Sequence, residues 1–215
     1  MAAPNRMTTF SGHDLTCIRG ERLVFSGLSF AVDAGTVLFL TGSNGSGKSS
    51  LLRLMAGLLR PAEGEIAWDG QPVAGDREAH RARLRYLGHD DAIKPALSVA
   101  DDLTFWAGWH GATGAEAARG AARRFALVGL WQTPCRFLSS GQRRRLALAR
   151  LAAAPAPLWL LDEPAVGLDS DSVSALEAAL ADHCAGGGRA VVATHQALSV
   201  PQAADLRLDD RGGTA

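Results

Sequence analysis

Short apolar runs bounded by glycine, aspartate or proline alternate along this chain with longer runs whose apolar residues recur at helical spacing. Residues 15–18, 23–25 and 28–32 are β-like runs separated by Arg19-Gly20-Glu21 and Ser26-Gly27, a pattern that predicts three strands and two turns. Residues 36–40 form a further apolar run, followed by a glycine-rich loop and a helical pattern over 50–57. Residues 60–64 end that helix. Residues 65–68 with Asp69-Gly70 then read as a strand entering a hairpin turn, and 84–88 as the next strand.

From Ser98 the period changes. Ser98 is placed to cap a helix running through Asp101, Asp102, Leu103, Phe105, Trp106 and Trp109, and the alanine-rich stretch 115–128 is helical. Ser139-Ser140-Gly141-Gln142 opens a third helix over 143–153, which Pro155 stops before the strand 158–161. Residues 172–180 are helical, Gly186-Gly187-Gly188 turns the chain, and 190–194 is a buried strand ending at His195. Strands alternating with helices predict an α/β fold with a mainly parallel sheet, and the first strands predict an antiparallel edge beside it. One domain is expected over 12–210, with a helical insert at about 91–155 and flexible ends at 1–11 and 211–215.

Composition narrows the class. With 215 residues, 47% of them hydrophobic, the chain can bury a full core, and its 22 Lys+Arg balance 22 Asp+Glu. Zero formal charge argues against a protein that coats nucleic acid or an anionic membrane, although Arg143-Arg144-Arg145 reads as a local basic patch. Cys17, Cys135 and Cys184 show no C-x-x-C spacing, which points away from a disulfide framework or zinc knuckle and toward a reducing compartment. No signal-type apolar core follows the N-terminus, and the longest apolar stretch, 151–161, contains Pro155 and Pro157, so no span is expected and a membrane role would need a separate chain.

The chemistry starts at Gly42-Ser43-Asn44-Gly45-Ser46-Gly47-Lys48-Ser49, followed by Ser50. This is G-x-x-x-x-G-K-[ST] in its confirming context of strand, loop and helix. Backbone N–H groups turned inward at a helix start cradle phosphates, Lys48 reaches the β and γ phosphates, and the Ser49 hydroxyl can ligate Mg²⁺. A glycine loop can also be a plain tight turn, but a turn has no need of the lysine and serine. Asp162 and Glu163 stand at the end of the apolar strand 158–161. Paired acids there often cap a helix; beside a phosphate loop they read as a Mg²⁺ ligand and a general base.

With Leu138-Ser139-Ser140-Gly141-Gln142 included, nearly the whole chain resembles the ATP-binding cassette ATPases of transporters. The resemblance implies a P-loop NTPase cassette with an antiparallel β subdomain and an inserted helical subdomain, with ATP and Mg²⁺ as ligands. It also implies a head-to-tail dimer, closed by ATP, in which Ser139, Ser140, Gly141 and Gln142 of one cassette meet the nucleotide held by the other. His195 matches the family's switch histidine, and Gly167-Leu168-Asp169 its interface loop. Two positions depart from the family. Asp90 stands where a glutamine usually contacts Mg²⁺, and Arg19 near the usual base-stacking aromatic, which implies weaker selectivity for adenine.

More narrowly, residues 25–30, 41–45, 86–89, 138–144, 156–164 and 194–196 resemble the ATPase subunits of the haem exporter of cytochrome c maturation. That resemblance implies a peripheral subunit on the cytoplasmic face of the bacterial inner membrane, docked on polytopic membrane partners. The chain has no C-x-x-C-H, so direct haem binding is not expected. Docking is expected over 90–103, with Phe105, Trp106 and Trp109 behind it as core. The competing readings are the ATPase of another transporter, a soluble cassette acting in translation or DNA repair, and a small-molecule kinase. The soluble cassettes have paired domains or long inserts that this chain lacks, and a kinase would not explain the signature stretch.

Overall fold

The structure is a computed structural model that describes residues 9–111 and 115–208. Two strands, β1 (Thr9–Arg19) and β2 (Arg22–Asp33), open the chain, and β3 (Val37–Thr41) leads into helix α1 (Lys48–Met55). Then come β4 (Glu63–Trp68), β5 (Gln71–Pro72), the short helix α2 (Arg77–Ala82) and β6 (Leu84–Leu87). Three helices, α3 (Val99–Trp109), α4 (Ala115–Arg124) and α5 (Ser140–Ala153), separate β6 from β7 (Leu158–Asp162). The chain closes with α6 (Ser170–Ala185), β8 (Arg189–Ala193) and β9 (Ala203–Arg207).

The strands form an antiparallel sheet in the order β2-β1-β4-β5 and a parallel sheet in the order β6-β7-β8-β3-β9. The middle of the parallel sheet is covered on both faces, which is why residues 37–40 of β3, 158–161 of β7 and 190–193 of β8 are apolar at every position rather than at alternate ones. Leu38, Leu40, Leu158, Leu160 and Val191 face α1 and the antiparallel sheet; Phe39, Trp159, Leu161 and Val192 face the helices α3 to α6. Neighbours in sequence thus belong to different cores, as the two-residue period of a strand requires. Between the two sheets, Trp68 Nε1 donates to His80 Nδ1 at 3.0 Å, and His80 Nε2 lies 2.8 Å from Met55 O, so a neutral ring bridges β4, α2 and α1.

Several expectations need correcting. Residues 23–25 and 28–32 are not two strands but one, β2. The pairs Leu15↔Leu28 and Cys17↔Phe25 leave an extra residue on β2, so Ser26-Gly27 is a bulge, with Gly27 at φ +63°. The first strand starts at Thr9, six residues ahead of the run 15–18 and three ahead of the expected domain start at 12, and Phe10 is fully buried against Phe30 and Trp68. Of the expected flexible ends at 1–11 and 211–215, residues 9–11 belong to β1, and 1–8 and 211–215 lie outside the described residues. The arginine run is no surface patch, because Arg144 is buried. Phe105 and Trp109, read as core, are 50% and 73% exposed.

Ser98 and Ser139 both cap helices. In each, the serine hydroxyl accepts from the third residue's N–H, and that residue's side chain (Asp101 or Gln142) accepts from the serine's N–H. Among the described residues no helix is long and apolar enough to cross a membrane.

Candidate functional site

The carboxyl ends of β3, β7 and β8 lie side by side, and each delivers one part of a cleft of about 540 Å³. Residues 42–47 form the loop after β3. At Gly42, with φ +136°, a Cβ would stand 2.3 Å from Leu208 O, and at Gly47, with φ +103°, a Cβ would stand 2.8 Å from Val24 Cγ1. The loop therefore has room for a glycine at each of these positions and for nothing larger. Lys48 Nζ donates to Gly42 O at 2.8 Å and Ser43 O at 2.9 Å, laying a cation across the mouth of the loop. The Ser46 hydroxyl is buried with no partner among the described residues. Such a loop at the amino end of a helix is a cradle of phosphate size.

Ser49 Oγ donates to Asp162 Oδ1 at 3.0 Å, which brings two hard oxygens together at the inner wall. Among the described residues no three His, Cys, Asp or Glu side chains cluster as a metal site. The donor set here suits a hydrated Mg²⁺ that takes one or two protein oxygens and completes its shell with water and phosphate.

Glu163 follows Asp162 at the end of β7, where its backbone leaves the strand at φ +50°. A side chain other than glycine in this region costs roughly 1–3 kcal/mol and persists where surrounding contacts fix it. The Glu163 N–H donates to Ala193 O at 2.8 Å. Its carboxylate accepts from the His195 N–H at 3.3 Å and stands 3.5 Å from His195 Nε2. The strand end thus aims one carboxylate along the cleft, beside an imidazole.

Arg19, the loop residues Asn44, Gly45, Gly47, Lys48 and Ser49, with Ser50, Asp162, Glu163 and His195, all line this one cleft. Arg22, Arg53 and His89 line it too, and the sequence pattern gave them no role. The two added arginines raise its attraction for a polyphosphate, and no aromatic residue is among its lining. Below it, burial pushes the Cys17 thiol up, although Arg19 and Ser50 pull the other way.

Two groups of expected site residues lie elsewhere. Asp90 lines a neighbouring cavity of about 470 Å³, and His89 faces the cleft in its place. Its flanks are held by Arg144 Nη1, which donates to Gly88 O at 3.2 Å and Asp91 Oδ1 at 2.9 Å. The residues Ser139, Ser140, Gly141 and Gln142 are absent from the cleft's lining, and the N-terminus of α5 abuts the loop after β7, where a Cβ on Gly141 would meet Gly167 O at 3.1 Å. Ser139 Oγ is committed to its cap, which leaves the exposed Ser140 and the first-turn amides of α5 for an anion from outside.

The model of a family described as ABC transporter matches residues 25–166. The chain is 54% identical over 205 residues to a cytochrome c biogenesis ATP-binding export protein CcmA of Paramagnetospirillum magneticum, covering 94% of each protein. It is 54% identical over 206 residues to the protein of that name from Rhodospirillum rubrum, covering 96% of this chain and 88% of that one. Among solved structures it resembles the ATP binding subunit of an ABC transporter, with a TM-score of 0.79 and 26% identity over 86% of this chain and 79% of that chain. A bacterial Atm1-family ABC exporter with ATP bound shares the fold at a TM-score of 0.82 and 24% identity, over 98% of this chain and 39% of that chain.

Proposed function

Because the chain belongs to the ABC transporter family and is one of its ATPases, we propose that it is the ATP-hydrolysing subunit of a membrane exporter serving cytochrome c maturation. The observation that carries the enzymatic part is the convergence of Lys48, the Ser49–Asp162 pair, Glu163 and His195 on one cleft. The loop amides and Lys48 bind the β and γ phosphates. Ser49 and Asp162 would hold Mg²⁺, which would supply positive charge against the phosphates. Glu163 accepts the proton of the attacking water, and His195 orients the carboxylate and contacts the γ-phosphate. Arg19 and Arg22, which also line the cleft, are left to flank the adenine ring.

A single chain keeps its α5 signature residues away from its own cleft, which supports an ATP-dependent head-to-tail dimer in which Ser140, Gly141 and Gln142 of each copy close on the nucleotide of the other. The cavity lined by Arg53, Arg85, Tyr86, Asp90, Trp106 and His110 adjoins the exposed Phe105, whose ring meets Trp106 edge-on and stacks on the exposed Trp109. This surface is assigned to the polytopic membrane subunits, and the chain to the cytoplasmic face of the inner membrane. The relatives' names, which give ATP-binding export in cytochrome c biogenesis, support the narrower reading of an exporter serving cytochrome c; the cargo assigned to it is haem, handled by the membrane subunits rather than by this chain.

The test is to tag the Glu163→Gln chain in its native cells, solubilise membranes gently with ATP, and identify what co-purifies. Membrane proteins that handle haem and cytochrome c are the expected partners. An unrelated permease would overturn the haem assignment and leave the ATPase, whereas recovery without any membrane protein would overturn the transporter.

A further inference from the structure

Arg144 stands in the second turn of α5 and is 5% exposed. Its guanidinium grips both loops that leave the carboxyl edge of the parallel sheet at β6 and β7. On one side Nη2 donates to Asp162 O at 2.8 Å and to Glu163 O at 2.6 Å, and Nε donates to Pro164 O at 3.2 Å. On the other, Nη1 donates to Gly88 O and pairs with Asp91 Oδ1 at 2.9 Å. Carbonyls of consecutive residues in an extended strand point in alternate directions. Here those of residues 162, 163 and 164 all meet one cation, and the left-handed backbone of Glu163 is what turns them together. Only arginine offers enough donors in a rigid planar fork to hold this arrangement.

We infer that Arg144 is the positioning residue of the hydrolytic site: it fixes the backbone that aims Glu163 and locks residues 88–91 to the same turn. The residues 88–91 carry His89 into the nucleotide cleft and Asp90 into the neighbouring cavity. Because α5 also starts with the signature residues, one rigid helix joins the surface that meets a second copy to the aim of this copy's own base. The inference rests on the assignment of Glu163 as that base.

The experiment measures kcat, KM and equilibrium ATP affinity of the full chain and of Arg144→Gln, Arg144→Lys and Asp91→Asn, with Glu163→Gln as reference. A residue that aims a base without touching ATP should lower kcat and spare affinity. Arg144→Gln is expected to lose about 100-fold in kcat, the scale on which a misplacement of about 1 Å is felt. Arg144→Lys should lose nearly as much, since an ammonium cannot span both loops, and Asp91→Asn less. In a Glu163→Gln background, Arg144→Gln should lower turnover no further. A purely structural role would instead lower affinity and thermal midpoint in both backgrounds. Should Arg144→Gln not fold, Arg144→Lys and Asp91→Asn decide by the same split. Wild-type kcat in either arginine variant, or matched losses of kcat and ATP affinity, overturns the inference. Undiminished hydrolysis by Glu163→Gln overturns the assignment of the base itself, and the positioning role with it.

Discussion

Replacing Asp102 by alanine should loosen the packing of α3 against α5 within the helical insert. Asp102 lies in the first turn of α3 with its side chain 1% exposed, and Arg150, in the last turn of α5, is 12% exposed. The pair is bidentate, with Arg150 Nε donating to Asp102 Oδ2 at 2.6 Å and Nη2 to Oδ1 at 2.5 Å. Arg150 also donates to Asp91 O at 3.0 Å and lies over the Trp106 ring. Removing one partner of a buried pair strands the other charge, at a cost of about 3–5 kcal/mol. The remaining carbonyl and ring contacts place this case at the lower end, about 3 kcal/mol. For a chain of this length that corresponds to a fall in melting temperature of about 6–12 °C. Asp102→Asn keeps one acceptor and should cost about 2 kcal/mol. The double variant Asp102→Leu with Arg150→Met removes both charges and should be far less damaging than either single change. Denaturant and thermal melts followed by circular dichroism give all these values. A loss below about 1 kcal/mol for Asp102→Ala would refute the reasoning, as would a double variant no better than the singles.

Other consequences follow from the same contacts. Gly42→Ala pushes a Cβ to 2.3 Å from Leu208 O and should abolish ATP binding in a titration or unfold the chain, so normal affinity in a folded protein contradicts the packing. Burial lowers the pKa of both His80 and His183 from the ordinary 6.5, so below about pH 6.5 the unfolded chain binds protons the folded one does not. Denaturant midpoints should therefore fall as pH drops from about 7.5 to 5.5, and a flat or rising profile would contradict the neutral bridge made by His80 and the burial of a neutral His183 against Arg189 O. Burial pushes the Cys184 thiol up to about 11 and raises those of Cys17 and Cys135, so all three should resist a disulfide reagent at pH 8 until the chain is denatured. Rapid labelling of the native chain would count against that burial.

The site elements that were legible in the sequence are those whose chemistry fixes their spacing. A phosphate cradle needs its glycines, lysine and serine in a set order, and the strands carrying Asp162 and His195 are buried on both faces, so they are written as unbroken apolar runs. Less legible was whatever depends on tertiary partners. The β9 segment Ala203–Arg207 has little strand propensity and pairs through its backbone with β3. Phe10 is a lone aromatic in sequence, and it joins the core only because β1 pairs with β4. Phe105 and Trp109 carry a core-like pattern yet face outward, because α3 buries Val99, Leu103 and Ala107 instead. Arg22, Arg53 and His89 sit in no motif, and only folding brings them to the cleft. Arg144 reads as one of three surface arginines until the loops it holds are seen.

Steady-state hydrolysis by Glu163→Gln, beside an ATP titration and a size measurement, tests most directly whether this chain hydrolyses ATP with Glu163 as the base. The account predicts ATP affinity retained, turnover reduced by about 10²–10⁴-fold, the usual contribution of a positioned general base, and a dimer that forms only with ATP. Hydrolysis at the wild-type rate would contradict it.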